Sequence, residues 1–96
     1  METSRCKAFY AAATLGSLTA AADRLGYTPS GVSQLITALE DDLGFKLLER
    51  TKRGVRLTGE GARLLPEIRN FLNSEYALYG LASDIKGLAV GTVNVA

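Results

Sequence analysis

Apolar residues recur every three to four positions through most of this chain, and glycine interrupts the pattern wherever a helix is expected to end. Residues 4–15 carry Cys6, Phe9, Tyr10 and Ala13 on one face of an amphipathic helix, with Gly16 as its stop. Ser17 is a fair N-cap for a short helix over 18–25, which Gly26 ends. Its consecutive alanines, Ala20, Ala21 and Ala22, leave room for another helix to come close. Only Gly26, Tyr27 and Thr28 separate it from a third helix over 29–43. Thr28 caps that helix, Pro29 takes the first-turn position where its missing N–H costs nothing, and Gly44 terminates it. Two helices joined this tightly, the second strongly capped, have the spacing of a helix-turn-helix.

The period then changes. Residues 45–50 and 55–57 fit two short strands, and "TKRG" between them offers Gly54 for a positive-φ turn position. Thr58 caps a fourth helix, although Gly59 and Gly61 loosen its start. Apolar residues from Leu64 to Ile85 keep helical spacing to Lys86, so the helix spans about 40 Å, more than a small three-helix core covers. Those residues occupy more than one stripe, which predicts antiparallel packing against the same helix of a second subunit. The expected interface residues are Leu64, Leu65, Ile68, Leu72, Tyr79 and Ile85. After Gly87 the pattern turns to small and β-branched residues, with Val93 and Val95 alternating as in a strand.

The predicted fold is mainly α. A winged helix-turn-helix covers 1–58, with the helix-turn-helix at 18–37 and a two-stranded β wing at 46–57. A long C-terminal linker and dimerisation helix covers 59–87, and 88–96 is expected to begin a further domain.

Charge sharpens this picture. The 96 residues carry a net charge of only +1, but Lys46, Arg50, Lys52, Arg53, Arg56 and Arg63 stand against Glu49 and Glu60, a local excess of four. The positive charge therefore sits on the wing and its flanks. A solvated basic loop is the plain alternative. Cys6 is the only cysteine and histidine is absent, which excludes an intrachain disulfide and the usual zinc sets. No metal or cofactor is expected. Helical spacing from Phe9 and Tyr10 marks Cys6 as a packing residue. No apolar run reaches the roughly 18 residues of a membrane span, so no membrane role is expected and the cytoplasm is the default location.

The third helix has no lysine or arginine and carries Glu40, Asp41 and Asp42 near its end. Val32, Ile36, Leu39 and Leu43 form its core stripe, while Pro29, Ser30, Ser33, Gln34 and Thr37 share another face, compact or neutral and suited to a DNA major groove. Gln34 can pair with adenine N6 and N7, and Ser30 and Ser33 can donate or accept. The Pro29 ring and the Thr37 methyl suit thymine methyls. Attraction to phosphate can come from elsewhere, because backbone contacts carry affinity but no sequence information directly. Amides at the helix starts near Ser17 and Thr28 are candidate phosphate anchors. Arg50, Lys52 and Arg53 supply cations, with the wing tip suited to the adjacent minor groove. Asp41 lies about 10 Å along the axis from Gln34, where the helix is expected to leave the groove. Glu40 is expected to pair with Arg50.

The stretch "FYAAATLGSLTAAADRLGYTPSGVSQLITALEDDLGFKLLERTKRGVRLTGEG" resembles the N-terminal domain of LysR-type transcriptional regulators. That family's pattern runs through a small-residue helix, G-S-F-T-x-A-A, S/T-x-S-A-V-S-x-x-I-x-x-L-E, L-G-x-x-L-F-x-R and L-T-x-A-G. The match is ungapped from Phe9 to Gly61. The resemblance implies a dimeric winged helix-turn-helix joined by a linker helix to a two-lobed effector-binding domain. "GTVNVA" is expected to be that domain's first strand. It also implies binding to double-stranded promoter DNA, often as a tetramer of the full-length protein, with transcription responding to a small-molecule effector. By motif position, Thr28, Pro29, Ser30, Ser33 and Gln34 fall among the family's base and phosphate contacts, and Arg50 on its phosphate-contacting arginine. Gly31 departs from the usual Ala, and Leu35 and Thr37 from the Arg, Gln or Lys of many members.

Two other function classes are weaker. A winged helix can serve as a protein-interaction module without touching DNA, and fold alone does not separate the two. An enzyme fares worst: no histidine base, thiol pair or phosphate-binding glycine loop of known spacing is present, and "GVRLTGEG" lacks the P-loop lysine.

Overall fold

The chain folds as α1 (Thr3–Leu15), α2 (Leu18–Leu25), α3 (Pro29–Leu43), β1 (Leu48–Thr51), β2 (Gly54–Leu57) and α4 (Gly59–Val95). This computed structural model describes residues 2–87 with their side chains. The bounds of α4 carry the helix past Gly87 and across the segment where the sequence predicts a strand; residues 88–96 otherwise lie outside the described residues.

Local chemistry accounts for the helix boundaries. Gly16, Gly26 and Gly44 sit at φ of 70°, 79° and 90°, and each returns its amide to the helix it ends. The caps are side-chain oxygens: Ser17 Oγ accepts from the Ala20 amide at 3.1 Å, Thr28 Oγ1 from Gly31 at 3.0 Å and Thr58 Oγ1 from Gly61 at 2.9 Å. Each such cap is worth about 1 kcal/mol.

α1 is the central helix, packing on α2, α3, α4 and β2. That explains why Cys6, Ala8, Phe9, Ala11 and Ala12 are all buried, a wider band than the one face the sequence predicts. Ala21, Ala22, Val32, Ile36, Leu39, Leu47 and Ile68 complete the core.

The wing is an antiparallel pair in the register Leu48↔Leu57, Glu49↔Arg56, Arg50↔Val55 and Thr51↔Gly54, leaving Lys52 and Arg53 as the loop. An isolated hairpin is marginal in water, so its anchors matter. On one side the Val55 amide donates to the Gly16 carbonyl at 3.1 Å. A Cβ on Gly54, at φ 143°, would overlap that carbonyl oxygen. On the other side Glu40 is turned inward, 7% exposed, and its Oε2 accepts from the Leu47 and Leu48 amides at 2.7 and 3.2 Å. The first strand consequently starts at Leu48 and not at Phe45, because the backbone at residues 46–48 is bonded to Glu40 and Thr58 instead of extending the ladder.

The start of α4 also differs from expectation. Gly61 is buried and does not merely loosen the helix: a Cβ there would collide with the Leu47 carbonyl oxygen, so glycine lets α4 seat against the wing. Gly59, by contrast, faces open space. Ile68 is only 3% exposed within the chain's own core, with Leu65 and Leu72 partly buried beside it. Farther along, Tyr76, Leu78, Tyr79, Leu81 and Ile85 stand exposed.

Candidate nucleic-acid interface

The packing of α3 sorts its residues as its wheel predicts. Val32, Ile36 and Leu39 are buried and Leu43 partly so; Pro29, Ser30, Gln34 and Thr37 are exposed, and Ser33 is half-buried. Val32 to Leu39 hold the helix against α1 and α2, leaving its N-terminal front as a ledge of uncharged groups.

The two helix starts contribute unequally to anion binding. Ser17 uses its side chain for Ala20 and its carbonyl for Ala21, leaving the Leu18 and Thr19 amides without an intrahelical acceptor. At α3, Pro29 has no N–H, while Gly31 and Val32 bond to Thr28. Ser30 therefore supplies the one free first-turn amide there.

The wing closes the third side. Arg50 Nη2 donates to Ser33 Oγ at 3.0 Å, bridging β1 to α3. Leu18, Pro29, Ser30, Ser33, Gln34 and Arg50 surround one shallow cleft of about 290 Å³. An adjacent cleft is lined by Ser17, Leu18, Thr19, Arg50, Thr51 and Lys52, among others. The structure thus gathers Ser17, Pro29, Ser30, Ser33, Gln34, Arg50 and Lys52 around these clefts, with Thr28 capping α3 next to Pro29, Arg53 at the wing tip and Thr37 one turn behind Ser33.

Charges divide into engaged and free. Arg56 pairs with Glu49 across the hairpin at 3.3 Å, and Lys46 Nζ lies 3.7 Å from Glu40 Oε1. Lys52 and Arg53 have no ion-pair partner among the described residues. Of the acids on α3, Asp42 faces Arg5 at 3.8 Å and Asp41 is exposed at the far end. The expected Glu40–Arg50 pair does not form: backbone amides of the wing reach Glu40 first, and Arg50 turns to Ser33.

Sequence reasoning missed Leu18, Thr19 and Thr51, which line the clefts. The signal for the first two was present, since a cap at Ser17 puts the next two residues at the helix front. The expected dimer residues separate. Tyr79 and Ile85 are 67% and 58% exposed, whereas Leu64, Leu65 and Leu72 are partly buried and Ile68 is spent in the core. Phe71 and Leu78, at seven-residue spacing with Ile85, are exposed on α4 as well. Cys6 is buried, which pushes its thiol above the ordinary range. No helix among the described residues is long and apolar enough to cross a membrane.

Comparison with known proteins fits this geometry. Residues 3–62 match the family described as bacterial regulatory helix-turn-helix protein, lysR family. The chain belongs to the LysR family. A curated family relative, the uncharacterized HTH-type transcriptional regulator y4mQ of Sinorhizobium fredii, is 51% identical over 67 residues, covering 70% of this chain and 22% of that protein. A solved complex of the CbnR DNA-binding domain with DNA is 38% identical, with a TM-score of 0.76 over 94% of this chain and 99% of that one. The BenM DNA-binding domain, solved with benA site 1 DNA, is 31% identical, with a TM-score of 0.80 over 90% of this chain and 97% of that one. The family match takes in α1 to β2 and the first residues of α4, so every residue of the candidate interface lies within it. The chain spans between 22% and 33% of the length of the first curated relatives it matches.

Proposed function

We propose that this chain binds double-stranded promoter DNA sequence-specifically as a dimer, as the DNA-binding part of a transcription regulator. α3 enters the major groove front first, where Ser30, Gln34, Thr37 and the Pro29 ring meet base edges. The Leu18, Thr19 and Ser30 amides hold phosphates, Arg50 and Lys52 clamp the backbone, and Arg53 lies at the backbone or the neighbouring minor groove. A second copy covers the Phe71, Leu78 and Ile85 stripe of α4. In the whole protein, a small-molecule effector acts through a domain beyond this one, and tetramers form from such dimers.

The convergence of three elements on one face carries this reading: an uncharged helix front, free helix-start amides and wing cations, with Arg50 at their junction. The family's DNA complexes support it. Selection from random duplexes with the purified chain tests it. An inverted-repeat consensus supports specificity and two-fold symmetry together. Recovery of unrelated sequences, or of none, contradicts the proposal.

A further inference from the structure

Ser33 stands apart from its neighbours on the α3 front. Ser30 and Gln34 are exposed, but Ser33 is half-buried, set back beneath them, and its Oγ accepts a 3.0 Å hydrogen bond from Arg50 Nη2 on β1. Arg50 lines the clefts on both sides of this bond, toward α3 and toward the start of α2. Its guanidinium has five N–H donors, and the bond to Ser33 uses one, leaving the others in a fixed fork for a planar or bidentate acceptor such as a phosphate. An exposed arginine otherwise loses rotamer freedom when it binds, and a preset side chain loses less.

We infer that Ser33 is a positioning residue: it holds Arg50 in the phosphate-clamping pose and does not itself read a base. This rests on the proposed DNA-binding function and deepens it, because it separates two adjacent serines by role. Ser30 faces the groove. Ser33 ties the wing to the recognition helix, so the seat of the backbone clamp beside α3 is set by one bond. It also replaces the sequence-based expectation that Ser33 contacts a base edge.

The test is a double-substitution cycle of Ser33→Ala and Arg50→Gln in the full chain. Affinity is measured on the duplex recovered by selection, on that duplex mutated at each position, and on an unrelated duplex. Losing one net hydrogen bond corresponds to about a three- to tenfold loss of affinity. Ser33→Ala is expected to lose that factor on every duplex alike, and to cost nothing further when Arg50 is already Gln. A loss confined to particular base pairs, or one that persists in the Arg50→Gln background, overturns the inference while leaving the DNA-binding reading intact. Absence of duplex binding by the unsubstituted chain overturns that reading as well.

Discussion

Removing the Glu40 carboxylate is expected to unseat the wing. Its Oε2 accepts from both the Leu47 and Leu48 amides, at 2.7 and 3.2 Å, in a place where Leu47 is fully buried. Glu40→Ala leaves one buried and one partly buried amide without a partner, at about 1–3 kcal/mol for the first and less for the second. The Lys46 contact adds little, because its side chain is 77% exposed and the pair is screened. The total comes to about 2–4 kcal/mol, which lowers the melting temperature by on the order of 10–30 °C in a chain of this size. Glu40→Gln separates the contributions. Both amides bond to the same oxygen, so one amide oxygen of glutamine serves both, and only the charge facing Lys46 is lost. That variant is expected to cost about 1 kcal/mol or less. Urea and thermal unfolding at fixed protein concentration measure both. Equal losses for Gln and Ala would refute the reasoning, since they would assign the effect to the charge and not to the amides.

Gly61→Ala drives a Cβ into the Leu47 carbonyl oxygen and is expected to destabilise by about 1–3 kcal/mol, whereas Gly59→Ala, facing open space, is neutral or stabilising by up to about 1 kcal/mol in urea unfolding. Ile68→Ala is expected to cost about 2–5 kcal/mol of stability, since Ile68 is in the core. Leu78→Glu, at a side chain 65% exposed, is expected to leave the fold intact while shifting sedimentation toward the monomer. The raised pKa of Cys6 means that the folded state holds the thiol proton more tightly than the unfolded chain. Its contribution is fully present below the ordinary pKa of an unfolded thiol and is lost as pH rises through the higher folded value. A thiol reagent is accordingly expected to label Cys6 slowly at neutral pH and rapidly after unfolding.

Features decided by neighbours in the chain were legible in the sequence. Ser17, Thr28 and Thr58 cap helices through the third amide onward, and Gly16, Gly26 and Gly44 end them in left-handed backbone, so a few consecutive residues suffice to place each boundary. The same holds for the division of α3, where period alone separates Val32, Ile36 and Leu39 from Pro29, Ser30 and Gln34. Choices among distant partners were not legible. Glu40 had Arg50 as an apparent counter-charge, but the chain after Gly44 returns its own amides to within 2.7 Å of the carboxylate. Gly61 read as a flexible residue because its reason, the Leu47 carbonyl, lies fourteen positions away in sequence. Ile68 and Phe71 both keep helical spacing; only the position of α1 decides that Ile68 goes inward and Phe71 outward.

In this scheme base choice and phosphate attraction reside on different elements, and duplex affinity measured against salt separates the two, for Gln34→Ala and for the Lys52→Ala, Arg53→Ala double variant, on the selected duplex and on its single-position mutants. Gln34→Ala is expected to lose discrimination at particular base pairs while the salt slope stays as it was. The double variant is expected to weaken binding on every duplex and to flatten the slope of log affinity against log salt by about one for each phosphate contact removed. A flattened slope for Gln34→Ala, or loss of discrimination without any slope change for the wing variant, would contradict the account.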